Sequence, residues 1–292
     1  MKTKLLLTCT ALFAAILTYA QNTFLWRIEN PKNRHVSYIT GTNHLLTDHY
    51  LKSFPIISQK MSEATTVVFE LGQDDVDEQK KAMRARPENE ELKKLLTEEQ
   101  KEKVVKFLGS DALKQTPVGL VAMISAFNTV SNHPSSKGEN IEVVLKKSAV
   151  AQSKKIIYLE TGKQQLDAVL ESQSGGIMGF LAKNSLNQMV GELGNTIEKN
   201  EPEKAIKKYY DQEFDYFLNR GVYTKYHKTI LKDRNENWMK QLPGILDAQN
   251  TFISVGSMHL QYNVGLISQL MKRGYILTPI DMKTGKDLPV RQ

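Results

Sequence analysis

The chain has 292 residues, 40% of them hydrophobic, and a formal net charge of +7 at pH 7. This length and composition supply enough apolar residues for a hydrophobic core, which excludes a wholly disordered chain. The single cysteine, Cys9, excludes an internal disulfide framework. Lysines interspersed with glutamates, as in residues 91–107, favour solvated helix faces and argue against a nucleic-acid-binding surface.

The first twenty residues have the pattern of a secretory signal peptide. Two lysines precede an apolar run from Leu5 to Leu17, and a small-residue cleavage site ends at Ala20. The apolar run is shorter than the roughly 20 residues of a membrane-spanning helix, which makes an uncleaved anchor the weaker alternative. We therefore expect residues 1–20 to be removed. The remaining chain, residues 21–292, is expected to be periplasmic or secreted, without cysteine and without a transmembrane segment.

Six runs rich in β-branched and aromatic residues predict strands, and the sequence between them has a helical period. The predicted strands are Thr23–Ile28, Val36–Thr40, Thr66–Glu70, Lys155–Leu159, Thr251–Val255 and Tyr275–Ile280. Strands that alternate with helices predict an α/β fold with a single mixed sheet and flanking helices. The span of residues 163–249 is almost entirely helical in pattern and predicts a helical insertion that caps the sheet.

Two strand-like runs end in the same short motif. GTNH at Gly41–His44 and GSMH at Gly256–His259 both have the form Gly-x-x-His. Two other runs end in a glutamate, Glu70 and Glu160, and a carboxylate beside a core is costly unless it is paired or bound to a cation. In open α/β sheets ligands bind at the carboxyl ends of the strands. The four residues therefore predict one site at that edge.

Two histidines and two carboxylates without a thiolate suit Mn²⁺, Co²⁺ or Zn²⁺, so the set is consistent with a divalent metal and a water that it activates. Each residue also has a structural alternative. The histidines are compatible with turn positions, and the glutamates with helix caps or surface ion pairs. Ser257 lies inside the second motif, but GSMH lacks the Gly-x-Ser-x-Gly form of a nucleophilic serine.

The succession GTNH, VVFEL, YLETGKQQ, RNENW and VGSMHLQYNVGLISQLMKRGY resembles the TraB/GumN family from about Thr23 to Ile280. That family is related to the TIKI metalloproteases and, more distantly, to erythromycin esterases and ChaN-type haem-binding proteins. The resemblance implies an erythromycin-esterase/ChaN-like fold. The sequence also departs from the usual family pattern at two positions. Glu142 stands where the family usually has an aspartate, and Asn43 stands where an apolar residue is common.

The resemblance singles out five residues: His44 and His259 of the paired motifs, Glu70 and Glu160, and Arg234 of RNENW. We interpret His44, Glu70 and His259 as metal ligands, Glu160 as a catalytic base, and Arg234 as a group that stabilises the oxyanion. The roles of the two glutamates are interchangeable on sequence alone. Loss of either histidine is expected to remove metal and activity and to leave the fold intact.

These roles together predict an exported, peptidase-like, metal-dependent hydrolase that acts on a peptide or a small molecule. The main alternative is a non-catalytic protein that binds haem or another ligand in the same pocket. A metal-free esterase in which a histidine is the base is a third possibility. A Soret band would indicate haem, and activity that survives chelators would indicate the metal-free enzyme.

Overall fold

The computed structural model describes residues 23–33, 35–130, 138–172, 176–194 and 201–289, so the predicted signal peptide lies outside the described residues. The strands are β1 Leu25–Glu29, β2 Val36–Thr42, β3 Thr66–Phe69, β4 Lys155–Tyr158, β5 Thr251–Gly256 and β6 Ile276–Pro279. They form one six-stranded sheet in the order β4-β3-β5-β2-β1-β6. Each predicted strand is present, with ends that differ by at most two residues.

The direction of the strands determines where their ends meet. Strands β2, β5, β3 and β4 are parallel neighbours, whereas β1 is antiparallel to both β2 and β6. The carboxyl ends of the four parallel strands therefore lie along a single edge of the sheet. This arrangement confirms the predicted α/β class with a single mixed sheet.

Helices cover both faces of the sheet. In the described residues they are α1 Asp48–Ser53, α2 Ile56–Glu63, α3 Gln73–Ala85, α4 Glu90–Leu95, α5 Glu98–Leu108, α6 Pro117–Val130, α7 Ile141–Ala151, α8 Gly162–Ser172, α9 Gly176–Glu192, α10 Glu201–Asp211, α11 Lys225–His227, α12 Arg234–Trp238, α13 Leu242–Ala248 and α14 Leu266–Lys272. Short 3₁₀ segments cover Ser110–Lys114 and Ser257–Leu260, and a π-helical segment covers Lys228–Asp233.

Successive residues of the strands alternate between two cores. On β5, Phe252 belongs to the core that contains α1, α2, α7 and α10, and Ile253 belongs to the core that contains α12, α13 and α14. This alternation is the expected consequence of the two-residue period of a strand. Because both faces of the sheet are covered, the strands read as nearly continuous apolar runs in the sequence.

A third hydrophobic cluster lies apart from the sheet. It joins α4, α5, α6 and α9 through residues such as Leu92, Val104, Leu120 and Leu186. The helical span predicted at residues 163–249 is thus divided, since α9 packs in this cluster while α12 and α13 pack on the sheet. An apolar helix face shows that a helix is packed, but it does not identify the partner.

Within the described ranges, no helix combines the length and the apolar character needed to cross a bilayer.

Candidate functional site

The four predicted site residues follow the ends of the four parallel strands. His44 lies two residues beyond β2, Glu70 directly follows β3, and Glu160 lies two residues beyond β4. His259 lies in the 3₁₀ segment that follows β5. Because these strands are parallel neighbours, all four residues lie at the same edge of the sheet, where the strands have their carboxyl ends.

The glycines of the two Gly-x-x-His motifs have different structural roles. A Cβ atom on Gly41 would lie 3.0 Å from both Cα and Cβ of Ser257, so the first motif needs glycine because the second motif packs directly against it. The backbone N–H of Gly256 donates to Oε1 of Glu70 at 2.6 Å. The motifs therefore pack against each other, and the second is joined to Glu70.

Arg234 lies at the centre of the cluster. Its Nη2 donates to Oε2 of Glu70 at 2.9 Å and to Oε1 of Glu160 at 2.5 Å, and its Nε donates to Oε2 of Glu160 at 3.0 Å. Its Nη1 donates to Nε2 of His259 at 2.9 Å. The arginine side chain is only 9% exposed. A single buried guanidinium thus contacts three of the four strand-end residues.

Two further side chains hold Glu160 in this network. Nε1 of Trp238 donates to its Oε2 at 3.2 Å, and Nε2 of Gln165 donates to its Oε1 at 3.1 Å. The Trp238 ring also lies under the guanidinium carbon of Arg234, 4.9 Å from the ring centroid. The carboxylate of Glu160 is therefore fully engaged with donors.

The local helix geometry places Arg234 in the cluster. The π-helical segment Lys228–Asp233 precedes it directly, and π-helical turns inside α-helices often occur at functional sites. Arg234 and Trp238 are four residues apart in α12 and so lie on the same face of that helix. The i, i+4 spacing in the sequence could have indicated that Trp238 lies beside Arg234. Nothing in the sequence indicated the π-helical turn.

His259 is held at both ring nitrogens. Since Nε2 accepts from Arg234, the hydrogen-bond pattern assigns the proton to Nδ1, which donates to Oδ1 of Asn235 at 2.7 Å. Asn235 in turn donates to the carbonyl oxygens of His259 and Val264. Burial and the charge of Arg234 hold the pKa of His259 well below its ordinary value. His259 is therefore a neutral, buried hydrogen-bonding group.

His44 has the opposite environment. Its side chain is 83% exposed, and its Nδ1 lies 3.3 Å from Oε1 of Glu142. The hydrogen bond and the charge of Glu142 raise the pKa of His44 to about 9, although solvent screens part of this attraction. Burial alone would raise the pKa of Glu142, but the bonds from His44 and Thr42 outweigh it and leave that pKa lowered. At neutral pH the two form an ion pair.

Asn140 holds this ion pair together. Its Nδ2 donates to the carbonyl oxygen of His44 at 3.0 Å, and its Oδ1 accepts from the backbone N–H of Glu142 at 2.9 Å as the N-cap of α7. Glu142, where the family pattern has an aspartate, is thus part of the site.

A pocket of about 90 Å³ opens beside the cluster. Its polar and charged lining residues are His44, Glu70, Glu142, Lys146, Gln165 and Ser254. Burial raises the pKa of Glu70, although the charge of Arg234 and the N–H of Gly256 act in the other direction. His259 and Glu160 do not line this pocket, because they face Arg234.

The predicted metal ligands are only partly brought together. His44 and Glu70 line the pocket, but Nε2 of His259 accepts from Arg234 and lies 4.0 Å from Oε1 of Glu70. In the part of the chain that the structure describes, no three or more His, Cys, Asp or Glu residues are grouped so as to hold a metal ion. A ligand needs a free lone pair, so the predicted set does not fit a metal in this arrangement. Metal binding stays a prediction.

These features define a class: an α/β protein with a histidine, glutamate and arginine cluster at the carboxyl edge of its parallel strands. The chain belongs to the TraB/PrgY/gumN family, whose model matches residues 24–279. This match confirms the family inferred from the motifs and covers the whole sheet. Among the curated proteins, none matches the chain.

We predict that His44 titrates at about pH 9 and that Glu142→Gln returns its pKa toward the ordinary value of about 6.5. Because the folded-state pKa is the higher one, the ion pair stabilises the fold fully below about pH 6.5, and this contribution is lost as the pH rises through about 9. NMR titration of the His44 ring measures the shift. Glu139→Gln is the control, since Glu139 pairs with Lys147 instead. An unchanged His44 pKa in Glu142→Gln would contradict the ion pair.

Proposed function

We propose that the chain is an exported, peptidase-like hydrolase that cleaves a carbonyl substrate in the strand-edge pocket. The observation that carries this proposal is that Glu70 and His44 line one small pocket with their pKa values both raised. Glu70 is then a better base than an ordinary carboxylate, and His44 is protonated at neutral pH. A base and an acid in one pocket are the requirement for general acid–base hydrolysis.

In the proposed reaction Glu70 removes a proton from a water molecule as the water oxygen attacks the carbonyl carbon. The His44 imidazolium donates a hydrogen bond to the developing oxyanion. It then transfers its proton to the leaving group as the bond between the former carbonyl carbon and the leaving group breaks and the carbonyl re-forms. The proton held by Glu70 passes to solvent, and His44 is protonated again from solvent. The net change is the addition of one water to the substrate.

Arg234 positions the base in this proposal. It holds Oε2 of Glu70 while Gly256 holds Oε1, so the carboxylate has a fixed orientation toward the pocket. Glu160, Trp238 and His259 in turn fix the guanidinium. The predicted catalytic role of Glu160 is thereby replaced in the proposal by a positioning role, because its oxygens bind Arg234 and Trp238.

No step of this mechanism passes through a metal ion. The predicted dependence on Mn²⁺, Co²⁺ or Zn²⁺ is a separate proposal, tested by metal analysis of the purified protein and by activity in the presence of EDTA. Loss of activity in EDTA that any of the three ions restores would support it. Turnover that EDTA leaves unchanged would support the metal-free reaction.

The test of the function is hydrolysis of a panel of short peptides and simple esters by the exported protein, whose intact mass reports whether it begins at Gln21. We expect Glu70→Gln and His44→Gln each to lower kcat by roughly 10²- to 10⁴-fold, the usual contribution of a general base or acid. His49→Gln is the matched control, because His49 is an exposed histidine five residues beyond His44 and does not line the pocket. Full turnover in both pocket variants would contradict the proposal. A Soret band in an inactive protein would instead favour the haem-binding alternative.

A further inference from the structure

We propose that Lys146 and Ser254 form a binding site for a carboxylate of the substrate in the same pocket. This inference rests on the proposed hydrolase and narrows its substrates to compounds with a negative charge near the bond that is cleaved. The carboxylate belongs either to the C-terminus of a peptide or to an acidic side chain, and the chemistry of recognition is the same for both.

Ser254 is the first observation. It lies on β5, lines the pocket and is 3% exposed, and its Oγ has no hydrogen-bond partner in the described part of the chain. A buried hydroxyl without a partner is destabilising, and such groups are uncommon in folded proteins. A hydroxyl that lines a pocket finds its partner in whatever enters the pocket.

Lys146 is the second observation. It lines the same pocket from α7 and is half-buried. Over the described residues, no carboxylate oxygen lies within 4.0 Å of its ammonium group, whereas Glu70 is paired with Arg234 and Glu142 with His44. Among the described residues, Lys146 is therefore a lining cation that an incoming anion meets without displacing a carboxylate.

Phe69 connects the two groups in the fold. The ammonium of Lys146 lies over the Phe69 ring, 5.8 Å from its centroid, and Phe69 pairs with Ser254 in the register of β3 and β5. An ammonium and a hydroxyl donor that line one pocket suit a carboxylate, since hydrogen bonds between charged partners are the stronger ones. Glu70, which directly follows Phe69, places the proposed base next to this site.

The experiment measures binding, not turnover. N-acetylalanine, which has a terminal carboxylate, is titrated into the full mature protein by calorimetry beside its uncharged counterpart N-acetylalaninamide. We expect N-acetylalanine to bind at least about tenfold more tightly than the amide. Lys146→Gln should remove about tenfold of that affinity, and Ser254→Ala should weaken binding by roughly three- to tenfold. Lys147→Gln, next in sequence but exposed and paired with Glu139, should have no effect.

A third probe, a peptide amide with one internal aspartate, distinguishes the sources of the carboxylate. If it binds as tightly as N-acetylalanine, the site takes an acidic side chain as well as a C-terminus. Equal affinity of the wild type for N-acetylalanine and its amide would overturn the inference, and so would unchanged binding in Lys146→Gln.

Stability provides an independent readout for Ser254. Because its hydroxyl has no partner, Ser254→Ala should have a Tm equal to or higher than that of the wild type. If that variant fails to fold, Ser254→Cys keeps the size and replaces the hydroxyl with a weak donor, and it should weaken N-acetylalanine binding in the same way. Wild-type affinity in the folded variant would exclude Ser254 from the site.

The inference and the proposed function fail separately. If the protein binds carboxylates but hydrolyses no compound, the carboxylate site is supported and the proposed hydrolase function is wrong. If the protein hydrolyses charged and uncharged substrates equally well, the hydrolase function is supported and the proposed carboxylate site is wrong.

Discussion

Arg234→Met is expected to lower the free energy of unfolding by about 3–5 kcal/mol, the cost of leaving buried charges without their partner. Glu160 is 8% exposed and binds the guanidinium through both oxygens, and Glu70 binds it through one. Without Arg234 these carboxylates face each other across the site with no cation between them. Arg234→Lys should recover only part of the loss, because an ammonium does not reproduce the planar set of donors.

Urea denaturation at neutral pH measures this loss. Arg27→Met is the matched control: Arg27 pairs with Glu29 and Asp287 at a more exposed position, and its loss should cost no more than about 1 kcal/mol. A triple variant, Arg234→Met with Glu70→Gln and Glu160→Gln, should be more stable than Arg234→Met alone, since it removes the unpaired charges together. A single variant as stable as the wild type would show that the guanidinium does not hold the cluster.

His259→Ala is expected to destabilise the protein by about 2–4 kcal/mol, whereas His44→Ala should change stability by less than about 1 kcal/mol. His259 is 4% exposed, both its nitrogens are bonded, and its ring lies 4.2 Å from that of Trp238. Its removal leaves a cavity and an unpaired Arg234 donor. His44 is exposed, so its replacement leaves neither.

This asymmetry differs from the expectation drawn from the sequence, in which both histidines are strand-end ligands that leave the fold intact when removed. Thermal or urea unfolding of the two alanine variants, with His49→Ala as an exposed control, measures the difference. Measurements of turnover separate stability from catalysis, because His44→Ala should be well folded but should have a low kcat. Equal stability of the two motif variants would mean that His259 does not anchor Arg234.

Several features of this protein follow from local sequence alone. Apolar runs of four to seven residues are long enough to be strands, and the glycines, histidines and glutamates that follow them are fixed in order along the chain. Once the strands are parallel, their carboxyl ends must lie along one edge of the sheet. That edge therefore has to contain the four residues that follow these strands, His44, Glu70, Glu160 and His259. The family followed from the same motifs.

Tertiary structure alone decided what these residues contact. The sequence gives the same Gly-x-x-His form to His44 and His259, yet one is exposed beside Glu142 and the other is buried against Trp238 and Arg234. Arg234 lies 164 residues from Glu70 and 74 from Glu160, and no local pattern encodes contacts over such separations. Side-chain contacts of this kind depend on how helices from distant parts of the chain pack against the strand ends. Local sequence patterns therefore specify the strands and the edge where the site lies, whereas the packing of distant helices specifies which residues face the pocket.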